Sequence, residues 1–435
     1  MFRTNQATAD RRTVRITGGT ALSGSVTVQG SKNIALHLYA AAILADEPLT
    51  LTGAPQILDT QVCAEILNST GTAAKVTSDR FETAPADSWH PEIPVALGRR
   101  IRTTAVIAAA LLSRTGEVTF PTPGGDAFCR RRIDRHLAAM QAAGATVEFD
   151  QDQVRARLTG GGLRPFVTDA ATQEWGPSLG ATVTGMLLAA RISGTSTIRT
   201  PSVEPEVVVT AAVLAACGVG IHWDAAALHV TGTDRIGGGA FAVPADRLEA
   251  ATLALAAATT GGGVHLEGFR PEEFPDRLLA VFADTGIELA PERGGTTVRC
   301  PSGPHAVQVA TGPHPGFPTD VQPQLTAFLT QAPGTSRIEE RIYTRRSTHI
   351  GPLRALGAHV STAGRVITVR GRTPLTSADV EGEDIRAVTA LVIAALAAEG
   401  TSTIRGMYHL RRGYGSLLPK LASLGANLTI DQETS

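Results

Sequence analysis

Cationic and carboxylate side chains recur at one kind of place in this chain, the polar turns that lead into long apolar stretches. The six turns read SKNIALHL, RRIRTTAV, PSLGATVT, PADRLEAA, FPTDVQPQ and EDIRAVTA. They supply Lys32 and Asn33, Arg102, Ser178 with Leu179 and Gly180, Asp246 and Arg247, Asp320, and Asp384 with Arg386. If each apolar stretch is a helix, these residues sit at helix N-termini, where free backbone N–H groups and the positive end of the dipole favour an anion. Ser and Asp also serve there as ordinary caps, so the cations carry the argument. Lys32, Arg102, Arg247 and Arg386 oppose the dipole, and a bound anion would compensate them. The chemistry this suggests is the grip of a small, multiply charged anion. A carboxylate removed from water is a stronger base than one in solution.

Two segments lie outside this pattern. TPGGDAFCRRRIDRH, from Thr122 to His136, opens on Pro-Gly-Gly and carries Arg130, Arg131, Arg132 and Arg135. Gly124 and Gly125 would let it move as a loop, and its cations suit an anionic partner, although a solvated charge run has the same composition. MYHLRRGYG places Arg411 and Arg412 before the last helix. His136 and His349 are lone histidines without HxxH spacing, and Cys63, Cys129, Cys217 and Cys300 form no CxxC pair. Neither a metal site nor a disulfide framework is expected, and Cys129 reads as a small packing residue.

The elements that must position these residues come from self-comparison. An amphipathic helix ending in glycine and followed by a strand recurs around Gly71, Gly144, Gly218, Gly286, Gly357 and Gly425, at spacings of 68 to 74 residues. That period suits a whole supersecondary unit, with each glycine ending a helix in the left-handed conformation. A second signature keeps the same period: the apolar stretches themselves, rich in alanine and leucine on every face, as in AAALLSRTGEVTF and VIAALAAEGTSTIRG. Such helices belong inside a domain and the more polar ones outside. The unit is strand, helix, strand, helix, strand, strand, and six of them fill 435 residues as three per domain, with a cleft expected between the domains. A net charge of -1 with 4% aromatic residues argues against a nucleic-acid surface. The apolar stretches are too short to cross a bilayer, which suggests a cytoplasmic protein whose first dozen residues are loose.

Taken together, the Gly-Ser-Lys-Asn run ending at Asn33, the PGGD loop, the Ser-Leu-Gly-Ala-Thr run from Ser178, PHPGFPTDVQPQ and HLRRGY resemble the enolpyruvyl transferase family. The likeness covers about residues 14 to 430 and is closer to the UDP-N-acetylglucosamine branch than to the shikimate branch, which carries a serine where Asn33 stands. The resemblance implies an α/β fold of two inside-out α/β barrel domains, each of three βαβαββ units around buried helices. It puts residues 1–30 with 245–435, carrying Asp320, Arg386 and Arg412, and makes residues 31–244 the domain of Lys32, Asp126 and Arg131. It also implies that Lys32, Arg131 and Arg412 hold the phosphate and carboxylate of phosphoenolpyruvate, supported by Arg386 and Arg102. Asn33 then holds the acceptor hydroxyl, Asp320 takes its proton, and Asp126 is the aspartate variant of a general acid that is a cysteine in many relatives. Ser178, Leu179, Gly180, Arg132, Arg135, His136 and Arg346 complete the binding set, with no metal or cofactor. An aspartate in place of the thiolate implies insensitivity to fosfomycin, which alkylates the cysteine.

The acceptor half departs from the UDP-sugar pattern. Arg132 and Arg135 stand where a proline and a leucine are usual, Thr344-Arg345-Arg346 replaces Glu-(Asn or Ala)-Arg, Val203 replaces an arginine, and Arg411 replaces an aspartate. Guanidinium forks match phosphate, so these changes favour an acceptor with an accessible terminal phosphate. The 3′-hydroxyl of UMP is the candidate, as in the enolpyruvyl transferases of nikkomycin and polyoxin biosynthesis. The alternatives are UDP-N-acetylglucosamine, the peptidoglycan precursor, and a non-catalytic paralogue that only binds an anion.

Overall fold

A computed structural model describes residues 12–432 apart from 127, 129–131, 161 and 173–175. Residues 1–11 of the stretch read as loose, together with Cys129, Arg130 and Arg131, lie outside the described residues. Contacts divide the chain into two units. One comprises the described residues of Met1–Gln29 and Ala245–Ser435, and the other those of Gly30–Gly125 and Arg131–Pro244. Asp126 and Phe128 group with the first unit, whereas the sequence places Asp126 with residues 31–244. The physical reason is an ion pair to Arg412, described below.

The repeat is clearest at Val167–Asp169. This strand leads into the helix Leu179–Ala189 and then a strand Thr195–Arg199 parallel to the first. The outer helix Pro205–Ala216 follows, and the hairpin Gly220–Trp223 and Ala227–Thr231 closes the sheet antiparallel. The same pattern gives four-stranded sheets elsewhere, but the copy containing Glu117–Pro121 keeps three strands and a single parallel bridge from Glu92 to Thr119. Pro91 and Pro94 bracket that bridge, and the missing N–H of Pro94 cannot extend a ladder.

In the unit formed by residues 30–125 and 131–244, the buried helices are Lys32–Ala42, Thr104–Thr115 and Leu179–Ala189. In the other they are Arg247–Thr259, Gln322–Leu329 and Ile385–Ala397, which pack against one another. Every residue of Arg247–Thr259 and of Gln322–Leu329 is buried. Alanine permits this close approach, and the burial of apolar surface all round is what stabilises the arrangement. The outer helix Asp276–Asp284, by contrast, buries Leu278, Val281 and Phe282 on one face. All six repeat glycines have left-handed backbone, with φ of 117° at Gly71, 110° at Gly144, 99° at Gly218, 85° at Gly286, 91° at Gly357 and 100° at Gly425.

The start of the chain completes two sheets of the later unit. Arg12–Thr17 pairs antiparallel with Thr401–Arg405 and Asn427–Gln432, and Ser23–Thr27 pairs parallel with Gly263–Glu267. Among the described residues no helix is long and apolar enough to cross a membrane.

Ala390 is fully buried in the helix Ile385–Ala397, which contacts both other buried helices of its unit. Ala390→Leu is expected to cost about 1–3 kcal/mol in denaturant unfolding by overpacking. The same change at exposed Ala422 is expected to cost less than about 0.5 kcal/mol.

Candidate active site

In the unit carrying Asp320, the site is built on the starts of two buried helices. Asp320 lies in the 3-10 turn Thr319–Val321 that enters the helix Gln322–Leu329. Arg386 is the second residue of the helix Ile385–Ala397, whose N-cap Asp384 accepts from the N–H groups of Arg386 and Ala387. Asp320 Oδ2 meets Arg386 Nη2 at 2.8 Å, and its Oδ1 meets Arg346 Nη1 at 2.7 Å. The two guanidiniums are almost dry, with side chains 8% and 1% exposed, while Asp320 keeps 30%. Burial alone would raise the Asp320 pKa, but the charges of Arg386 and Arg346 outweigh it and hold the carboxyl far below its usual range. The expectation that burial makes Asp320 a strong base is therefore corrected. In this arrangement it is ionised and weakly basic, and it becomes a better base only if a guanidinium is drawn away.

Arg386 also donates to Tyr414 Oη at 2.5 Å, and that oxygen lies 3.0 Å from Thr252 Oγ1. Burial pushes the Tyr414 pKa up to about 12, against the pull of the Arg386 charge. Arg346 lies under two rings, 4.3 Å from the centre of Phe128 and 5.7 Å from that of Tyr343, a geometry that favours a desolvated cation. Close by in sequence to Tyr414, Arg412 Nη1 meets Asp126 Oδ1 at 2.7 Å, with side chains 5% and 12% exposed. His409 Nδ1 is 3.9 Å from the same oxygen.

In the other unit, Lys32 opens the helix Lys32–Ala42, capped by Ser31, and its Nζ lies 2.8 Å from Oδ2 of buried Asp59. Asn33 follows it in the first turn. Arg102 precedes the helix Thr104–Thr115 and donates through Nη2 to the Arg132 carbonyl at 2.6 Å. Ser178 caps the helix that Leu179 and Gly180 begin. A Cβ on Gly180 would lie 2.8 Å from His136 Cε1, so glycine is what allows the imidazole to pack on that turn. His136 Nδ1 lies 2.7 Å from Thr184 Oγ1, and burial lowers its pKa to about 3. Arg135 donates through Nη1 to the carbonyls of Ala170 and Gly176, at 3.1 and 2.9 Å. Arg132 is 73% exposed, 3.8 Å from Asp134.

Two expectations change. Two of the cations at helix starts do not depend on an outside anion for compensation, because Lys32 has Asp59 and Arg386 has Asp320. Arg135 is anchored to backbone carbonyls, so one of the added arginines is committed within its own unit. Sequence reasoning missed Asp59, Tyr414, Thr319 and Glu340. Tyr414 stood inside the HLRRGY motif, but only the neighbouring arginines drew attention. Among the described residues no group of three or more His, Cys, Asp or Glu side chains is placed to hold a metal ion.

The sequence matches the family described as EPSP synthase (3-phosphoshikimate 1-carboxyvinyltransferase) over residues 16–421. Among related sequences, the UDP-N-acetylglucosamine 1-carboxyvinyltransferase of Novosphingobium aromaticivorans is 38% identical over 427 residues, covering 95% of this chain and 97% of the relative. The enzyme of that name from Thermus thermophilus is 38% identical over 420 residues, 96% of each chain. Among solved structures, the enolpyruvyl transferase NikO from Streptomyces tendae superposes with a TM-score of 0.89 at 24% identity, over 97% of this chain and 99% of that one. EPSP synthase from Acinetobacter baumannii gives 0.75 at 16% identity, over 97% and 100%. At those identities the structural likeness establishes the fold, α/β with two domains.

Burial also lowers His37 to about 4 and His349 to about 3, from an ordinary 6.5. With folded pKa values below the unfolded one, the unfolded chain binds more protons as acid is added. The stability these neutral rings confer is thus complete above about pH 6.5 and is lost as pH falls toward the folded values. Denaturant unfolding between pH 7 and pH 5 should show stability falling by up to about 1.4 kcal/mol per pH unit for each histidine. His136→Gln should flatten that slope.

Proposed function

The chain belongs to the EPSP synthase family of enolpyruvyl transferases, and on that premise we propose that it moves the carboxyvinyl group of phosphoenolpyruvate to a hydroxyl of a uridine nucleotide, releasing phosphate. The observation that carries this reading is the charge array around Asp320, an ionised carboxylate held by Arg386 and Arg346 in the same unit as the Arg412–Asp126 pair.

Phosphoenolpyruvate brings a phosphate and a carboxylate, both of which compete with Asp320 and Asp126 for guanidinium N–H groups. Lys32, Arg131 and Arg412 are assigned to those anions, with Arg386 and Arg102 in support. A substrate anion that draws Arg386 toward itself leaves Asp320 with less positive charge beside it, and its basicity rises. An anion taken by Arg412 likewise releases Asp126, which without its guanidinium partner takes up a proton from solvent and holds it as the acid. Substrate binding thereby switches on both carboxylates. Asp126 delivers a proton to the methylene carbon, the acceptor oxygen bonds to the adjacent carbon, and Asp320 takes the hydroxyl proton. The resulting tetrahedral adduct loses a methyl proton and phosphate to give the enol ether. Asn33 orients the hydroxyl, and Ser178, Leu179 and Gly180 contribute a helix start to an acceptor anion.

UDP-N-acetylglucosamine is the first acceptor to test, because the 38%-identical relatives named for it match almost the whole chain. UMP is the second, favoured by the exposed guanidiniums of Arg132, Arg345 and Arg411 where the UDP-sugar pattern differs. Phosphate release from phosphoenolpyruvate with each nucleotide separates them by kcat/KM. Release with neither, while phosphoenolpyruvate still binds, would leave the anion-binding paralogue in place of the enzyme. With the productive acceptor, Asp320→Asn should lower kcat about 10²–10⁴-fold.

Fosfomycin is expected to cause no time-dependent inactivation, because Asp126 offers no thiolate. Asp126→Cys should create that sensitivity, measured as progressive loss of turnover and a mass increase of one adduct.

A further inference from the structure

A buried carboxylate reaches the Asp320 array through the residue before Asp320, Thr319. Glu340 follows the strand Gly334–Glu339, is 2% exposed, and accepts four hydrogen bonds. Its Oε1 takes Thr311 Oγ1 and the N–H groups of Ile342 and Tyr343, each at 2.9 Å, and its Oε2 takes Thr319 Oγ1 at 2.9 Å. We propose that Glu340 is a positioning residue for the transfer reaction, fixing Arg346 on Asp320 through the Thr319 hydroxyl and the turn that carries Arg346. This rests on the reading of Asp320 as the base.

A single proton decides the geometry. A threonine hydroxyl has one hydrogen to donate and lone pairs to accept with. With that hydrogen directed to Glu340, the remaining lone pairs of Thr319 face Arg346, whose Nη1 lies 3.1 Å away. The same Nη1 donates to Asp320 Oδ1 at 2.7 Å. Arg346 is therefore held at two adjacent residues, and the Thr319 contact depends on which way one hydroxyl points. Meanwhile the N–H groups of Ile342 and Tyr343 fix the start of the turn that reaches Arg346. Thr311, pinned by the same carboxylate, accepts from the N–H of Arg341 at 2.8 Å. One carboxylate thus ties together the segment carrying the base and the segment carrying its guanidinium.

Four donors converging on two oxygens match an ionised carboxylate. Burial works the other way and pushes the Glu340 pKa up, partly offset by the Tyr343 N–H and the Thr311 hydroxyl. Glutamine keeps the volume but has one acceptor oxygen. Whichever way its amide turns, an N–H group faces either Thr319 or the trio of donors on the other side. A purely stabilising Glu340 would lower the melting temperature of such a variant and leave the folded enzyme's Arg346 and kcat as they were.

The test uses the full chain with Thr319→Val, Thr319→Ser and Glu340→Gln. Guanidinium NMR of Arg346, assigned by its loss in Arg346→Lys, reports whether rotation about the Nε–Cζ bond is restricted. Phosphate release from phosphoenolpyruvate with the productive acceptor gives kcat and KM. Wild type and Thr319→Ser should show separate, slowly exchanging Nη signals and equal turnover. Thr319→Val and Glu340→Gln should show averaged Nη signals and kcat about tenfold lower, with KM for phosphoenolpyruvate changed less than about twofold. Unchanged Arg346 signals in folded Thr319→Val overturn the proposal, as do averaged signals with unchanged kcat. Thr319→Val decides alone if Glu340→Gln does not fold. A wild type without turnover on any acceptor removes the enzyme reading instead, and the NMR signals still report on the Glu340 to Arg346 link.

Discussion

The organisation of the Asp320 unit depends on a carboxylate held between two nearly dry guanidiniums. Removing Arg346 and Arg386 from water is costly, and the cost is met only while each has a counter-charge and hydrogen-bond acceptors. Asp320 supplies the charge, with Tyr414 and Thr319 supplying further acceptors. The arrangement raises the pKa of both arginines against the effect of burial and lowers that of Asp320. Such a cluster stores its own response to a ligand. An anion that draws either guanidinium away from Asp320 leaves that carboxylate more basic than before.

The helix starts show how the fold tolerates cations where the dipole disfavours them. A positive charge in the first turn is unfavourable by roughly 0.3–1 kcal/mol when exposed. Arg386 and Arg247 each follow closely on an aspartate whose side chain caps the helix, so a negative charge sits near both the cation and the free N–H groups. At Lys32 the cap is a neutral serine and the charge is met by Asp59 from the next helix. Repetition of the unit has preserved the position of the charge and varied the way it is balanced.

Much of the scaffold was legible because two local rules repeat six times. A helix that must turn sharply into a strand needs a left-handed residue, and glycine provides it at Gly71, Gly144, Gly218, Gly286, Gly357 and Gly425. A helix surrounded on all sides carries small apolar residues on every face, as Ala250, Ala251, Ala254, Ala256, Ala257 and Ala258 do. The candidate site was legible only by residue type. Asp320, Arg386 and Arg412 stand in recognisable runs, yet the partners that decide their behaviour come from distant segments. Arg346 is 26 residues from Asp320, and Asp126 is 286 from Arg412. Nothing periodic marks Asp59 or Glu340, because the meaning of each is set by what the fold brings to it.

Composition treats the substituted arginines Arg132, Arg135, Arg345 and Arg411 alike, as charge available to a phosphate. Position separates them. Arg135 commits Nη1 to the carbonyl of Ala170, just before the strand Ala171–Thr172, and to that of Gly176 in the paired strand Gly176–Pro177, so its first effect is on the shape of that strand pair, which leads directly into Ser178. An arginine placed there can alter acceptor choice without touching the acceptor, by setting where the N-terminus of the helix Leu179–Ala189 points. Arg132, Arg345 and Arg411 are exposed, and a preference for a terminal phosphate has to come from guanidiniums that a ligand can reach.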